Sequence, residues 1–464
     1  MSRVVLAIVV LLYCAATVLV IALGPPPAVL ALALLLVVPY ALQSAFARPL
    51  LFPFGLYVVL VPFDNLLGAG TFGTLTKFLG MLAGAALLFW TLRRRTARPL
   101  GRSVALLAGL VAWMLLSALW ALDQRTALQS ISTYAGLMLL YAVVTIVPAT
   151  PRALRTQLVL LVAGGLAAAV YGIHAFYQDP SLAQHATTTR LVVQAGTTTI
   201  DPNHFSNALL FPLAVLTMWS LRSRRLVPKV AGIAGLAIFT DAILLSGSRE
   251  ALSATLLIML YFLIRSRHRL QLGIAVAVLL TFVLSVQTSI WTRFSTLLET
   301  GGSGRTSIWA VAVQAAKQRP IQGYGIGNFQ EAYDLYYIGV HQTYPFGWNS
   351  PAHNLVLHYQ VELGFVGLLL IALFFWSAFR SLRFIDAKSE LYDERIAMEG
   401  ALIAIAFVSL TIDLFTYKYA WLVLFLIAFL RNAAPAAQPS AVTRAANSPI
   451  TAALSARAAS RALP

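Results

Sequence analysis

Long runs of apolar residues separated by short polar connections dominate the chain. A membrane-spanning helix needs about 20 predominantly apolar residues, and fourteen segments of the sequence meet or approach that requirement. The third and the fourteenth are short enough to be re-entrant or to merge with a neighbour. The segments are 4–23, 27–46, 50–62, 74–92, 103–121, 128–147, 157–176, 204–221, 230–247, 250–264, 270–288, 354–379, 398–415 and 417–430. The pattern predicts an all-α fold, that of a polytopic integral membrane protein.

One interval interrupts this pattern, because residues 289–353 are too polar to cross a bilayer. It divides the chain into membrane helices with short loops over 1–288, a long loop, and C-terminal membrane helices over 354–431. A smaller polar connection covers 177–203. The tail over 432–464 is rich in Ala, Ser, Pro and Arg with little apolar bulk, which predicts a disordered end.

The distribution of basic residues predicts which ends of the helices face the cytoplasm, since cytoplasmic loops carry an excess of Lys and Arg. With the N-terminus inside, twenty-four of the 33 Lys and Arg residues fall in inward connections or at the two ends of the chain. This asymmetry predicts cytoplasmic N and C termini and an outward-facing long loop. The remaining nine, all outward, are Lys77, Arg125, Arg190, Arg249, Arg293, Arg305, Lys317, Arg319 and Lys418.

Composition supports the membrane assignment and excludes other classes. Hydrophobic residues make up 59% of the chain and charged residues 11%, which is not the composition of a water-soluble domain. The net charge of +17 is explained by topology, so we expect no nucleic-acid partner. The single cysteine, Cys14, allows no intrachain disulfide and leaves the redox compartment open. The first apolar run is longer than a signal-peptide core, so we expect it to remain as the first helix.

The long loop contains a candidate phosphate site at Arg305. Residues 306–318 are good helix formers and end before a proline, so Arg305 is predicted to lie at a helix N-terminus. Such an end presents free N–H groups and partial positive charge, and a guanidinium there suits a phosphate. Glycines at 301, 302 and 304 would let the backbone approach a ligand. A flexible loop with a solvated arginine is the alternative.

A second arginine, Arg249, lies in a tight turn between two apolar segments. A charge held close to the bilayer surface is costly in free energy unless it pairs with an opposite charge or has a functional role. Glu250 or Asp241 could pair with it for purely structural reasons. The functional alternative is that Arg249 and Arg305 together bind a diphosphate whose lipid tail lies in the membrane.

His353 lies where the long loop re-enters the membrane. A neutral imidazole there could accept a proton from an incoming hydroxyl group. The alternative is a polar residue that only hydrogen-bonds to the loop. The other histidines show no metal-ligand spacing, and no Asp-x-Asp pair faces outward, so we expect neither a metal nor another cofactor.

These motifs together resemble the O-antigen ligase family, which includes related O-antigen polymerases. The resemblance rests on their order and common side of the membrane, and the topology is similar along most of the chain. The motifs are Asp201-Pro202-Asn203, Ser248-Arg249, Gly304-Arg305 followed by Trp309, Gly323, Gly325 and Gly327 with Asn328-Phe329, and His353-Asn354 preceding Glu362 and Gly364.

The resemblance implies a function: transfer of a glycan from undecaprenyl diphosphate to the core oligosaccharide of lipid A, without a metal. It implies about twelve membrane helices and an active site at the periplasmic face of a Gram-negative inner membrane. Arg249 and Arg305 match the family's diphosphate-binding arginines, and His353 matches its essential histidine. His204, after Asp-Pro-Asn, departs from the small or apolar residue expected there.

Three further outward cations, Arg125, Arg190 and Lys418, are candidates for binding acceptor phosphates. The sequence does not separate a ligase from a polymerase that uses the same donor, or from an enzyme that glycosylates a protein Ser or Thr. A lipid-linked glycan transporter is the alternative from another class. Transporters favour repeated halves with charged or broken helices near the bilayer midplane, whereas charge here collects at one rim.

Overall fold

The computed structural model describes residues 47–66, 74–178, 190–195, 198–285, 305–340 and 350–434. The first two predicted membrane helices, over 4–23 and 27–46, lie outside this part of the chain. Most of the predicted tail, from 435 onward, does so too, as do parts of the long loop.

The described chain is built almost entirely of helices, as the apolar pattern predicts. The helices are α1 (Phe54–Leu60), α2 (Leu75–Arg93), α3 (Arg102–Ser117), α4 (Gln124–Ile146), α5 (Pro151–Gln178), α6 (Pro202–Ala208), α7 (Leu210–Arg222), α8 (Leu226–Leu245), α9 (Arg249–Arg265), α10 (Arg269–Ser285), α11 (Arg305–Gln318), α12 (Phe329–Val340), α13 (Leu355–Leu382), α14 (Tyr392–Val408) and α15 (Lys418–Ala433).

The all-α polytopic membrane fold is confirmed. Within the described residues, six helices are long and apolar enough to cross a membrane: α2, α4, α5, α6 with α7, α8 and α13. Shorter apolar helices include the region of α1, which a 3₁₀ turn over Val61–Leu66 extends, and α3. The third predicted segment, 50–62, is therefore short in the structure as well.

A small hairpin, which the sequence did not predict, lies in the connection between α5 and α6. Its strands β1 (Val193–Ala195) and β2 (Thr198–Ile200) pair antiparallel, with Val193 opposite Ile200. The N–H of Leu191 just before it donates to the carbonyl of Leu245 at 2.8 Å. This bond holds the connection against the end of α8.

Polar caps begin four helices that matter for the site. The side chains of Asp123, Asp201, Ser248 and Asn354 accept N–H groups in the first turns of α4, α6, α9 and α13. These residue types are preferred N-caps because their side-chain oxygens satisfy otherwise free N–H groups. According to the predicted topology all four helix starts face outward.

The two helices of the long loop, α11 and α12, pack on each other and on α13. Small residues of α11 let the aromatic side chains of α12 approach closely, so the loop has its own apolar core. The core comprises Ile308, Val311, Ala312, Ala315, Tyr324, Phe329, Ala332, Tyr333, Tyr337, Ala352 and Val361.

Helix α13 is broken at Gly364, whose φ of 64° and ψ of −167° are not helical. The break leaves the carbonyls of Val361 and Glu362 without their usual partners in the helix. They accept the N–H groups of Tyr324 and Gly325 at 2.9 and 2.8 Å. The loop between α11 and α12 is thereby docked into a membrane helix.

Two glycines make this docking possible. Gly323 and Gly364 both have positive φ, at 68° and 64°. A Cβ on Gly323 would overlap the carbonyl of Glu362, and a Cβ on Gly364 would overlap the carbonyl of Ile321. Only residues without a side chain allow the two backbones to approach this closely.

Candidate functional site

Arg305 and the Arg249 turn come together at the start of α9. Helix α11 begins at Arg305, as the sequence predicts. Its Nη1 lies 3.7 Å from Oε2 of Glu250, which is the second residue of α9. Thr411, in the connection before α15, donates to the same Glu250 oxygen at 2.6 Å. The contact thus joins the long loop to the start of α9 and to the connection between α14 and α15.

Arg190, from the connection between α5 and α6, belongs to the same cluster. Its Nε donates to the carbonyl of Ser246 at 2.9 Å, and its Nη2 donates to Oδ1 of Asn203 at 2.8 Å. Burial lowers the pKa of Arg190, the charges of Arg249 and Arg305 lower it further, and nearby carboxylates raise it. Three guanidinium groups therefore lie within electrostatic reach of one another.

His353 adjoins these arginines. The flanking backbone is held by Trp309, whose Nε1 donates to the carbonyl of Ala352 at 3.0 Å, and by Asn354, whose Nδ2 donates to the carbonyl of Leu410 at 2.9 Å. Burial and the charge of Arg305 lower the pKa of His353, while Asp201 raises it. The imidazole is therefore mostly neutral at pH 7.

His353 also has a positive φ of 46°. A non-glycine residue rarely adopts this left-handed conformation, and such residues cluster at functional sites. The conformation lets the chain turn sharply from the long loop into α13. The side chain is half-buried at this turn.

Asp201 and His204 lie beside the cluster, although the sequence left a catalytic role for either of them in doubt. Asp201 caps α6 by accepting the N–H groups of Asn203 and His204. The Nδ1 of His204 lies 3.0 Å from the hydroxyl of Tyr419, and its ring stacks on that of Tyr417 at 3.9 Å. His204 is thus engaged in aromatic and polar contacts.

The structure therefore brings together four of the six predicted site residues: Arg190, Arg249, Arg305 and His353. They lie among the starts of α6, α9 and α13, where the helix dipole favours anions. Three cations and a neutral imidazole could bind a phosphorylated group and accept a proton next to it. Among the described residues, no group of three or more His, Cys, Asp or Glu is arranged to hold a metal ion.

A comparison with known protein families gives a match that covers three of these four residues. Residues 234–372 match the family model described as O-antigen ligase. The resemblance to the O-antigen ligase family is confirmed. The O-antigen ligase match begins in α8 and ends in α13, so it contains Arg249, Arg305 and His353. No curated protein matches the chain.

The match supports a function of the O-antigen ligase or polymerase type. It also supports the assignment of the protein as an enzyme related to membrane glycosyltransferases. The family match and the six long apolar helices of the described residues together indicate a multi-pass membrane protein. Arg190 lies outside the matched residues, and only the fold brings it to the cluster with Arg249 and Arg305.

Lys418, predicted to bind the acceptor, is engaged within the protein. Its Nζ lies 2.7 and 2.9 Å from the two carboxylate oxygens of Asp64, and it donates to the hydroxyls of Thr74 and Thr76 at 2.7 and 3.0 Å. These four contacts link α15 to the region between α1 and α2. The lysine side chain is only 15% exposed.

Arg125, a further predicted acceptor residue, has no recorded contact with the arginine cluster among the described residues. It is exposed in the first turn of α4, after the capping residue Asp123. The N–H of Asp123 is bound by Oδ1 of Asn328, the residue just before α12. Arg125 therefore lies near the docked part of the long loop.

A buried ionisable cluster is the main feature that the sequence did not predict. Nε2 of His358 lies 3.1 Å from Oε1 of Glu362 and 3.7 Å from Oδ2 of Asp413, while its ring stacks on Phe329. The N–H of Phe329 also donates to Glu362 at 3.2 Å. The four-residue spacing of His358 and Glu362 was the available signal, but their partners are distant in sequence.

Proposed function

We propose that the protein is an O-antigen ligase that transfers O-antigen polysaccharide from undecaprenyl diphosphate to the lipid A-core oligosaccharide. The reaction would take place at the periplasmic face of the bacterial inner membrane. The observation that carries the proposal is the convergence of Arg190, Arg249 and Arg305, with His353 beside Arg305 and its pKa lowered by burial and by that charge. The O-antigen ligase match over three of these residues supports it.

The arginine cluster suits the donor. A diphosphate carries negative charge that increases as the bond to the sugar breaks, and fixed cations stabilise such a leaving group. Arginine is well suited to this because its planar guanidinium can make two parallel hydrogen bonds to a phosphate. Arg190 was predicted to bind the acceptor, but its position beside Arg249 and Arg305 favours a role at the diphosphate.

His353 would act as the general base of an inverting transfer. It takes the proton from an acceptor hydroxyl as that oxygen attacks the anomeric carbon of the donor sugar. The carbon–oxygen bond to the diphosphate breaks, and its electron pair leaves with undecaprenyl diphosphate. The proton then passes from the imidazole to solvent. A neutral imidazole at pH 7 meets the requirement of this step.

Acceptor binding is assigned to cations outside the cluster. Arg125 is exposed beside the docked loop and would contact phosphates of the lipid A-core. Lys418 could contribute only if its four internal contacts rearranged. An Arg125→Ala variant should therefore raise the KM for the acceptor more than the KM for the donor.

The test is a reconstituted reaction with purified protein, a lipid-linked glycan and three alternative acceptors. A ligase transfers the glycan to lipid A-core, a polymerase to a second lipid-linked glycan, and a protein glycosyltransferase to Ser or Thr. Transfer in detergent, with no membrane to cross, would contradict a transporter. Full activity in the presence of a chelator is expected, and transfer only to the lipid-linked glycan would contradict the ligase assignment.

In cells, the lipopolysaccharide of a deletion strain separates the first two reactions. Loss of the ligase leaves long lipid-linked chains but no attached glycan. Loss of a polymerase leaves single units attached. Gel electrophoresis of lipopolysaccharide shows which pattern occurs.

A further inference from the structure

Two adjacent cavities lie at the end of the helix bundle opposite the arginine–histidine site. The first, of about 440 Å³, is lined by Tyr261, Arg265, Phe379, Arg383, Arg395 and Glu399. The second, of about 310 Å³, shares Phe379 and Arg383 and adds Trp376, Arg380 and Phe384. Both volumes fall in the range of ligand-binding cavities, roughly 300–1,000 Å³.

Their location follows from two helices, α9 and α13, that reach both ends of the bundle. Helix α9 carries Arg249 at its start and Arg265 at its end, 16 positions later, which is about 24 Å along the axis. Helix α13 follows His353 and carries Arg383 just beyond its last residue. The cavities therefore belong to a different membrane surface from the proposed active site.

The internal hydrogen bonds leave the cavity lining positively charged. Arg395 is buried, and both its Nε and its Nη2 lie 2.9 Å from Oε1 of Glu399. The hydroxyl of Tyr261 donates to the other oxygen of that carboxylate at 2.5 Å. The single acidic residue of the lining is thus fully engaged by Arg395 and Tyr261.

Arg380, Arg383 and Arg265, whose side chain also hydrogen-bonds to Tyr261, lie in the lining and can meet an anion. Across the described residues, none of these three guanidinium groups has a carboxylate within 4.0 Å. Arg383 lies over the ring of Phe379, 5.4 Å from its centroid, and all three arginines are exposed. The cavities thus offer net positive charge beside aromatic surface.

An exposed apolar stripe leads along α13 to these arginines. Leu369, Leu373 and Trp376 precede Arg380 at intervals of three or four residues, so they lie on one face of the helix. They are 43%, 39% and 53% exposed. Phe384 continues the exposed surface beyond the helix end. A ligand that fits both features has long apolar chains and a negatively charged head.

We propose that these cavities bind the headgroup of an anionic membrane phospholipid, with its acyl chains along Leu369, Leu373 and Trp376. Basic pockets between transmembrane helices recognise such headgroups. The phosphate contacts Arg265, Arg380 and Arg383, and the rings of Phe379 and Trp376 cover the glycerol region. The site is independent of glycan transfer.

Thermal unfolding of the detergent-purified protein tests this site. Phosphatidylglycerol, phosphatidylcholine with the same acyl chains, and inorganic phosphate are added separately. A ligand that binds only the folded state raises Tm with its concentration. Phosphatidylglycerol should raise Tm by about 3 °C or more, and the other two should have little effect. An equal rise with phosphate alone would overturn the lipid assignment.

Paired substitutions test whether the rise in Tm comes from lipid bound at the cavity arginines. Arg265→Gln with Arg383→Gln should abolish the phosphatidylglycerol shift and reduce the number of phospholipids retained in native mass spectrometry. Arg224→Gln with Arg225→Gln is the matched control, because it removes two exposed arginines after α7, outside the cavities. An equal loss in both pairs would show only general charge attraction and would overturn the proposal.

A single substitution allows the test to be made even if the double variant does not fold. If the double variant fails to fold, Arg383→Gln alone should at least halve the Tm shift, because Arg383 lines both cavities. An unchanged shift in that folded variant would overturn the site.

Discussion

Nη1 of Arg305 lies 3.7 Å from Oε2 of Glu250, and this contact joins the helix of the long loop to the membrane helix that begins at Arg249. The distance is long for a charge-assisted hydrogen bond, which is normally about 2.7–2.9 Å. The Thr411 hydroxyl engages the same carboxylate oxygen at 2.6 Å. Arg305 is therefore kept near the site while its guanidinium can still turn to an incoming diphosphate.

Glu250→Gln should lower the KM for the lipid-linked donor. The substitution removes a negative charge that competes with the diphosphate for Arg305, while the amide oxygen can still accept from Thr411. Charge effects at a partly buried site of this kind predict that the KM for the donor decreases roughly three- to tenfold. Steady-state kinetics with varied donor would measure it, with Glu390→Gln, an exposed glutamate between α13 and α14, as the control. A raised KM would show that Glu250 mainly positions Arg305.

Arg305→Ala should reduce the transfer rate by about 10²–10³, as expected when one donor to a developing charge is removed. Arg305→Lys should recover only part of this loss, because an ammonium group cannot form the bidentate contact. Lys317→Ala removes an exposed cation from the other end of the same helix, α11, and should leave the rate unchanged. Equal rates for the Arg305 and Lys317 variants would exclude a role at the leaving group.

The pH profile should show an acid limb below about 6.5, the ordinary histidine pKa. His353 acts only as the neutral imidazole, and its pKa is lowered by burial and Arg305. The rate is therefore full above the lowered pKa and falls as the pH drops through it. Measurement of kcat/KM from about pH 4.5 to 8 locates the limb. An acid limb above pH 7 would contradict the assignment.

Asp201→Asn should move that limb to lower pH. Asp201 raises the pKa of His353, so loss of its charge lowers the pKa further. Asparagine still caps α6, since it is as good an N-cap as aspartate. Asp386→Asn, an exposed carboxylate after α13, should leave the limb in place. A shift toward higher pH in Asp201→Asn would refute the electrostatic coupling.

Gly323→Ala and Gly364→Ala should each destabilise the protein by about 1–3 kcal/mol. Each alanine would be held at positive φ, which costs about 1–2 kcal/mol, and its Cβ would overlap a facing carbonyl. Gly339→Ala is the control, because nothing lies within 4 Å of a Cβ there and alanine favours the helix. Thermal unfolding in one detergent compares the three variants, and a tolerated Gly364→Ala would mean that the loop does not dock as described.

Local patterns in the sequence were sufficient to predict most helices. The apolar run over 74–92 corresponds to α2, Leu75–Arg93, and the predicted loop helix over 306–318 corresponds to α11, Arg305–Gln318. Both predictions succeed because the signal for each helix lies in its own residues. For α2 the signal is an apolar run long enough to span the bilayer, and for α11 it is a run of good helix formers before a proline.

Contacts between distant segments were not predictable in the same way. Lys418 binds Asp64, 354 positions away, and the break at Gly364 makes sense only once the loop around Gly323 is docked there. Arg190 was placed with the acceptor residues because no local pattern shows that it approaches Arg249 and Arg305. Local patterns singled out Arg249, Arg305 and His353 as candidates, but their roles came from the family resemblance, since those roles depend on positions that the fold brings together.

The most direct test of the central claim is the rate of glycan transfer by purified His353→Asn protein in the reconstituted reaction. Asparagine tolerates the left-handed backbone at this position, so the variant removes the imidazole with little strain on the turn. Loss of a general base predicts a rate about 10²–10⁴ lower than that of the wild-type protein. Transfer by folded His353→Asn protein at the wild-type rate would contradict the account.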